Sequence, residues 1–516
     1  MRAVRSTLGI LIVGALLAGF TSVSPASATT CIDRKTNQRR GPCPTLDADA
    51  GKVPYMTVVA HIDTGVNPYA PAFRDRSALA YKHPSTYIPG YPETATALKL
   101  TLDKPFEKAW AADEDKWKLV RRGELYWIPG TKIIGAISFG GGGTYCPQVR
   151  IPTVVATSDG TCSEHNIFDD HGHGTMTGSR STGAPDSLAP TARLVTIEGL
   201  GAKSVEWAAE QGWIDVQTNS WISLVPPPVP SAITDAFAAV SQKMATVVAS
   251  GNGTAYVAGL APTPTYLLST APAGVILVGG HDNGLATLWA GAPPHVVADA
   301  YMPMSAATHS IEPMHPEVMA CCTSAAAPYA AGGAAALVLE ARRLLGDRTL
   351  GVHDGILAEG CKAPKEGPLA DGNFTVSELK DVLFHTAEAH PAEGKDDGEV
   401  HWSGGLRPPD QVDYGPGGNP YCPACTTTPV PWSALPAQAD GAAYQFVGYG
   451  GINERSLELA IDVLRGKSEL PARAAADAQY GLDQSIRAAF VGGEAGDPPA
   501  ESILVCVQSI AVERVN

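Results

Sequence analysis

The stretch Val59-Ala60-His61-Ile62-Asp63-Thr64-Gly65-Val66 carries an apolar, largely β-branched run straight into an aspartate and then turns on Thr64-Gly65. Such residues favour a pleated strand, and the turn leaves the carboxylate at the strand's end. After this first run, over residues 55–62, similar runs recur over 132–139, 193–197, 214–218, 245–249 and 275–278. Between them, residues 204–211, 231–244 and 324–345 have helical length and alanine-rich composition. The alternation from about residue 53 to 345 predicts an α/β fold of βαβ units around a parallel sheet buried on both faces. In open sheets of this kind, ligands bind beyond the carboxyl ends of the strands. Asp63, the stretch around Ser220, and Asn252 all fall at such ends.

The chemistry these residues offer is acyl transfer. In Cys322-Thr323-Ser324-Ala325-Ala326-Ala327-Pro328, a serine opens an alanine-rich helix, and Pro328, tolerable only near a first turn, marks where that helix begins. A serine hydroxyl alone is a poor nucleophile. It needs a histidine to take its proton, an aspartate to orient that histidine, and donors for the oxyanion. His173, between two glycines in Asp170-His171-Gly172-His173-Gly174-Thr175, is the histidine candidate, and Asp63 is the carboxylate. Taken singly, an aspartate after a strand is most often a cap, and Ser250-Gly251-Asn252-Gly253 is an Asn-Gly turn. Read together, Asn252 becomes a carboxamide donor that shares the oxyanion with the Ser324 N–H at a positive helix end.

His165, Asp169, Asp170, His171 and His173 also gather five metal-ligand types within nine residues. They lack zinc spacings such as HExxH or paired C-x₂-C. No metal is assigned to them, no cofactor is required, and calcium in a structural role is the one metal left open.

Residues 1–28 have a basic start, an apolar run from Leu8 to Phe20 and the small-residue pattern Ala26-Ser27-Ala28, the features of a cleaved secretory signal. The run is shorter than the ~20 residues a bilayer span needs. A secreted, extracellular protein with no membrane span follows as the expectation. In that setting the ten cysteines read as disulfides. Cys31 with Cys43 and Cys146 with Cys162 are local pairings, and Cys422-Pro423-Ala424-Cys425 reads as a local or inter-loop bridge. A formal charge of −15 argues against a nucleic-acid partner.

With Asp63, His173, Asn252 and Ser324 in this order and in these motifs, the chain resembles the subtilisin-like serine proteases, the subtilases (peptidase S8 family). Residues 189–195, similar to the strand after the family's histidine helix, extend the likeness. So do residues 215–221, 273–279, and Gly448-Tyr449-Gly450 with the helix after it. The resemblance implies a three-layer αβα fold with a mainly parallel sheet. It also implies a serine endopeptidase using Asp63, His173 and Ser324, with Asn252 in the oxyanion hole. Polypeptide substrates would lie as an added strand against Asn219, Ser220, Trp221 and Ile222, near Ser250 and Gly251, and the protein would act as a monomer.

On this reading residues 29–52 form an N-terminal segment and 53–465 the catalytic domain, with surface insertions at about 74–131, charged and tryptophan-bearing, and 391–440, rich in proline and glycine, each with the ordinary role of a solvated loop. Residues 466–516 form a C-terminal extension. Three departures stand out. Cys322, beside Cys321, replaces the glycine usual before Thr-Ser; Ile222 replaces a glycine and narrows the specificity pocket; Ser179 replaces a glycine in the histidine helix. Only about 35 residues separate the cleavage site from Asp63. That is too few for the folding pro-domain many exported subtilases carry, so folding is unaided or assisted from elsewhere, for instance by the C-terminal extension. The rival reading is a catalytically impaired binding protein on the same fold, its serine turn distorted by the cysteine pair.

Overall fold

The computed structural model describes residues 30–33, 38–42, 55–140, 167–169, 172–184, 186–221, 224–225, 232–241, 243–251, 261–262, 274–282, 285–286, 294–300, 302–303, 319–320, 322–345, 367–370, 373–388 and 449–472. The β-branched runs form strands β1 (Val58–Asp63), β4 (Ile133–Ser138), β5 (Arg193–Glu198), β6 (Val216–Asn219), β7 (Ala245–Ala249), β8 (Val275–Asp282) and β10 (Val296–Asp299). Two-residue strands complete the sheet: β2 (Thr96–Ala97), β3 (Tyr126–Trp127), β9 (Leu285–Ala286) and β11 (Gly451–Ile452). These 11 strands make one sheet, ordered β11-β10-β8-β7-β6-β1-β5-β4-β3-β2, with β9 beside β8. All pairings are parallel except β3 with β4 and β8 with β9.

The strand order puts β1 at the switch point. From β1 the chain runs out to one edge of the sheet, builds back inward as β2 to β5, then crosses over β1 to build β6 onward on the other side. Ile62 of β1 pairs with Asn219 of β6, so Asp63 and Ser220 are the next residues out on two adjacent strands. A crevice opens at the carboxyl ends of strands where the winding direction reverses.

Helices cover both faces: α1 (Phe106–Trp117), α2 (His173–Thr182), α3 (Ala202–Glu210), α4 (Ala232–Val240), α5 (Cys322–Leu345), α6 (Val376–Thr386) and α7 (Glu454–Leu464). Alternation along β1 divides the core between them. Val58, Ala60 and Ile62 pack with α3 and α4, whereas Val59 joins the alanine-rich α5 and the α6 and α7 side chains on the other face. His61 and Asp63 share the face of Val59, against which α2 also packs. Helix α6 starts on a capping box between Thr375 and Glu378. Strand β10, the short β11 and helices α1 and α6 are elements that periodicity left unassigned. Among the described residues, no helix is long and apolar enough to cross a membrane.

Residues 74–131, read from sequence as a surface insertion with a solvated loop's role, are built into the molecule. Their β2 and β3 extend the sheet beyond β4, and Trp110 and Trp127 are buried. Phe106 and Trp110 pack with Tyr69 and Phe168, the Trp110 and Phe168 rings lying 4.6 Å apart. Asp113 accepts from the Tyr69 hydroxyl at 2.8 Å, the Thr101 N–H at 2.6 Å and Lys116 Nζ at 2.7 Å. The charge and tryptophan content that suggested a loop instead serve a second, aromatic core with one satisfied carboxylate at its centre. The 391–440 insertion, the signal segment and residues 473–516 lie outside the described residues.

A buried ion pair ties the far end of α5 to the start of the sheet. Arg342 meets both oxygens of Asp215, with Nη1 3.0 Å from Oδ2, and Oδ2 also accepts the Val58 N–H at 2.8 Å. Removing one partner of a buried pair strands the other charge. Asp215→Ala is therefore expected to destabilise the protein by about 3–5 kcal/mol, read as a shift of the urea unfolding midpoint.

Candidate active site

The end of β1 and the start of α2 meet through a carboxylate. Asp63 Oδ1 lies 2.7 Å from His173 Nδ1 and accepts the Thr64 N–H at 2.8 Å. Oδ2 accepts the Thr177 hydroxyl at 3.0 Å. Asp63 is fully buried, and His173 nearly so. Burial alone would raise the Asp63 carboxyl, but the adjoining His173, and after it His61, outweigh that effect and hold it well below the usual carboxylate range. Asp63 is thus the ionised acceptor, and the His173 ring presents Nδ1 to it.

The motif residues flanking these two groups are explained by mutual contact. Gly65 has φ +99°, and a Cβ there would lie 2.8 Å from the Ile167 carbonyl oxygen; a Cβ on Gly174 would lie 2.0 Å from the Gly65 carbonyl oxygen. The two motifs touch backbone to backbone, which only glycine permits. Thr64 Oγ1 accepts the Gly174 N–H at 2.9 Å and donates to Asp169 Oδ1 at 2.8 Å. Asp169 also accepts the Gly172 N–H, the Thr175 N–H and the Thr175 hydroxyl, each at 2.6 Å. A carboxylate on the first N–H groups of a helix is the favourable placement for helix and dipole alike. Asp169, seen in the sequence as a possible metal ligand, is the cap that sets the position of His173.

Ser324 is the third residue of α5, which begins two residues earlier than the proline suggested. Pro328 therefore stands inside the helix. It has no N–H to give the carbonyl four residues back, and that carbonyl belongs to Ser324. The Ser220 hydroxyl supplies a donor instead, 2.9 Å from the Ser324 carbonyl oxygen. In return Ser324 Oγ donates to the Ser220 carbonyl at 3.2 Å. Ser220 follows β6, the strand adjacent to β1, so this reciprocal pair fixes Ser324 to the same rim as Asp63. Helices α2 and α5 pack together. The buried Arg180 joins them, donating to the Ala325 carbonyl at 3.4 Å with its guanidinium 4.1 Å from the Tyr329 ring centroid.

The remaining sequence candidates divide. Asn219 and Trp221 are buried, Trp221 against Phe237 at 5.5 Å between ring centroids. Ser250 follows β7 with its N–H on the Val278 carbonyl, and Gly251 comes next at φ +95°. Asn252 and Ile222 lie outside the described residues, as do His165, Asp170, His171 and all ten cysteine side chains. Among the described residues, no group of three His, Cys, Asp or Glu is placed to hold a metal ion.

A mainly parallel sheet with its switch point at β1, carrying a buried Asp–His pair and a serine at a helix start on one rim, is a subtilisin-like α/β fold. The chain belongs to the subtilase family, whose model matches residues 56–405, and is a serine-type peptidase with peptide substrates. Solved structures are similar at 14% identity. The prenylagaramide maturation protease PagA has a TM-score of 0.37 over 80% of this chain and 94% of that one. A cold-adapted subtilisin-like serine proteinase has a TM-score of 0.34 over 66% and 86%. The epidermin leader peptide processing serine protease EpiP from Staphylococcus aureus has 0.33 over 65% and 78%. Among curated proteins, none matches the chain significantly.

Two outcomes follow from this geometry. Gly174→Ala drives a methyl group into the Gly65 carbonyl, and unfolding in urea should show a loss of at least about 1–3 kcal/mol. The depressed Asp63 carboxyl contributes stability that is fully present above the unfolded value of about 3.9 and is lost as pH falls through the lower folded value. Urea unfolding at pH 5, 4 and 3 should therefore show the stability of wild type falling toward that of Asp63→Asn as the pH drops.

Proposed function

We propose that the protein is a secreted serine endopeptidase in which Ser324 Oγ attacks the scissile peptide carbonyl. His173 Nε2 takes the hydroxyl proton and gives it to the leaving amine. The acyl-enzyme is then hydrolysed by a water that His173 deprotonates in turn. Asp63 holds the imidazole with Nδ1–H toward Oδ1 and stabilises its charged form. The oxyanion is received by the Ser324 N–H, in the first turn of α5, and by the Asn252 carboxamide, a donor whose loss costs about 10²–10³ in kcat where such roles have been measured.

The reading is carried by the buried 2.7 Å contact between Asp63 Oδ1 and His173 Nδ1 on the rim to which Ser220 holds Ser324. Peptide is received by main-chain pairing along residues 219–222. Recognition of that kind reads little sequence. The chemistry needs no cofactor, the protein acts as a monomer, and residues 1–28 direct its export.

A fluorophosphonate probe tests the roles. Stoichiometric labelling at Ser324 that disappears in His173→Ala supports them, whereas well-folded wild type that takes no label favours the impaired, peptide-binding alternative. Asp63→Asn should retain the fold and lose about 10⁴-fold in kcat with a small residual activity, measured on a peptide substrate.

A further inference from the structure

His61 stands two residues before Asp63 on the same face of β1, where Val59 shows the apolar filler that strand alternation calls for. A buried imidazole is costly there unless it is bonded. His61 is buried, and its Nε2 lies 2.6 Å from Thr177 Oγ1. That hydroxyl lies 3.0 Å from Asp63 Oδ2, and Nε2 itself lies 3.7 Å from the same oxygen. Thr177 comes one helical turn after His173 and so shares its face of α2.

The Thr177 hydroxyl has one proton and several neighbours that could take it: Asp63 Oδ2, His61 Nε2, the His173 carbonyl at 3.1 Å and the Gly174 carbonyl at 3.4 Å. An ionised carboxylate only accepts, and a bond to it is the strongest on offer. The proton therefore goes to Asp63. At 2.6 Å from the same oxygen, His61 must then donate, which places its ring proton on Nε2. Nδ1 has no hydrogen-bond partner among the described residues, so Nε2 is the ring atom through which His61 is held.

We infer that His61 and Thr177 are positioning residues. Together they form a buried donor chain, Nε2–H to Oγ1–H to Oδ2, that grips the second oxygen of Asp63 and so keeps the first one on His173. Oδ1 alone carries the bonds to His173 and Thr64, and rotation of the carboxylate would loosen both. The chain removes that freedom, and donation by His61 strengthens the Thr177 hydroxyl as a donor. This inference rests on the reading of Asp63, His173 and Ser324 as a triad.

Full-length enzyme with active sites counted by fluorophosphonate tests it, through kcat and KM on one peptide substrate. Thr177→Val should lower kcat about tenfold with KM within about twofold, and Thr177→Ser, which keeps the hydroxyl, should stay within about threefold of wild type. His61→Val should fall between them. The double variant His61→Val/Thr177→Val should be no slower than Thr177→Val, because the two residues act as one chain. A low-field proton signal from the Asp63–His173 bond, absent in His173→Ala, should move in Thr177→Val and hold in Thr177→Ser, and it is read without turnover. Wild-type kcat in Thr177→Val, or single losses that multiply in the double variant, would overturn the chain while leaving the triad intact. Should Thr177→Val not fold, His61→Val at full kcat with an unmoved signal overturns it equally. A wild type that takes no label overturns the triad reading, and the inference with it.

Discussion

A carboxylate shut away from water at the end of the central strand constrains everything around it. Asp63 has no solvent to satisfy its oxygens, so each must be met by a donor at fixed distance and direction. His173, Thr64 and Thr177 meet them. Two of these three belong to α2, so the bonds that make the charge tolerable also determine where that helix lies on β1. The glycine contact between residues 65 and 174 is the steric counterpart of this requirement. Any side chain there would lift the helix off the strand and leave the carboxylate short of donors.

The topology brings the serine to the same place by an independent route. Because the chain leaves β1 toward one side of the sheet and after β5 crosses to the other, β1 and β6 are neighbours although some 150 residues separate them, and Ser220 lies beside Asp63. Pro328 then withholds an N–H from the Ser324 carbonyl, and the Ser220 hydroxyl takes up that position. A residue usually regarded as a helix breaker here makes α5 bond outward to the sheet at the residue whose placement matters. Its presence six residues past the start of the helix, rather than in the first turn, follows from this substitution of donors.

Much of the frame was legible because it rests on short-range pattern. Six strands and three helices came from β-branched runs and alanine-rich stretches, and Asp63, His173 and Ser324 from motifs whose letters now have contacts attached. Strand β10 and the two-residue β11 escaped because so few residues give no period to count. The 74–131 segment defies its composition, in which charge and tryptophan count as surface character. In the fold Asp113 gathers donors at the centre of an aromatic core, a long-range arrangement that composition does not encode. Asp169 was visible as an acidic residue near a histidine. Only the helix start four residues on distinguishes a cap from a ligand, and that start was the uncertain quantity.

Helix α2 shows how such a site is held still. All ten of its residues are buried, yet they include His173, three threonines, two serines and Arg180. A helix buried on every side is ordinarily apolar all round, since apolar contact satisfies it without further conditions. Apolar contact is also non-directional, and a helix packed that way can slide or roll by a fraction of an ångström at small cost. Here Thr175 is bound to Asp169, Thr177 to Asp63 and His61, and Arg180 to the carbonyls of Asp186 and Asp299. Each bond has a preferred length and angle, and any rigid movement of α2 degrades several together. A polar interior of this kind is a poor way to gain stability, because every group must first lose its water. It is an effective way to hold one imidazole in one orientation, and His173, the first residue of the helix, is the group that needs it.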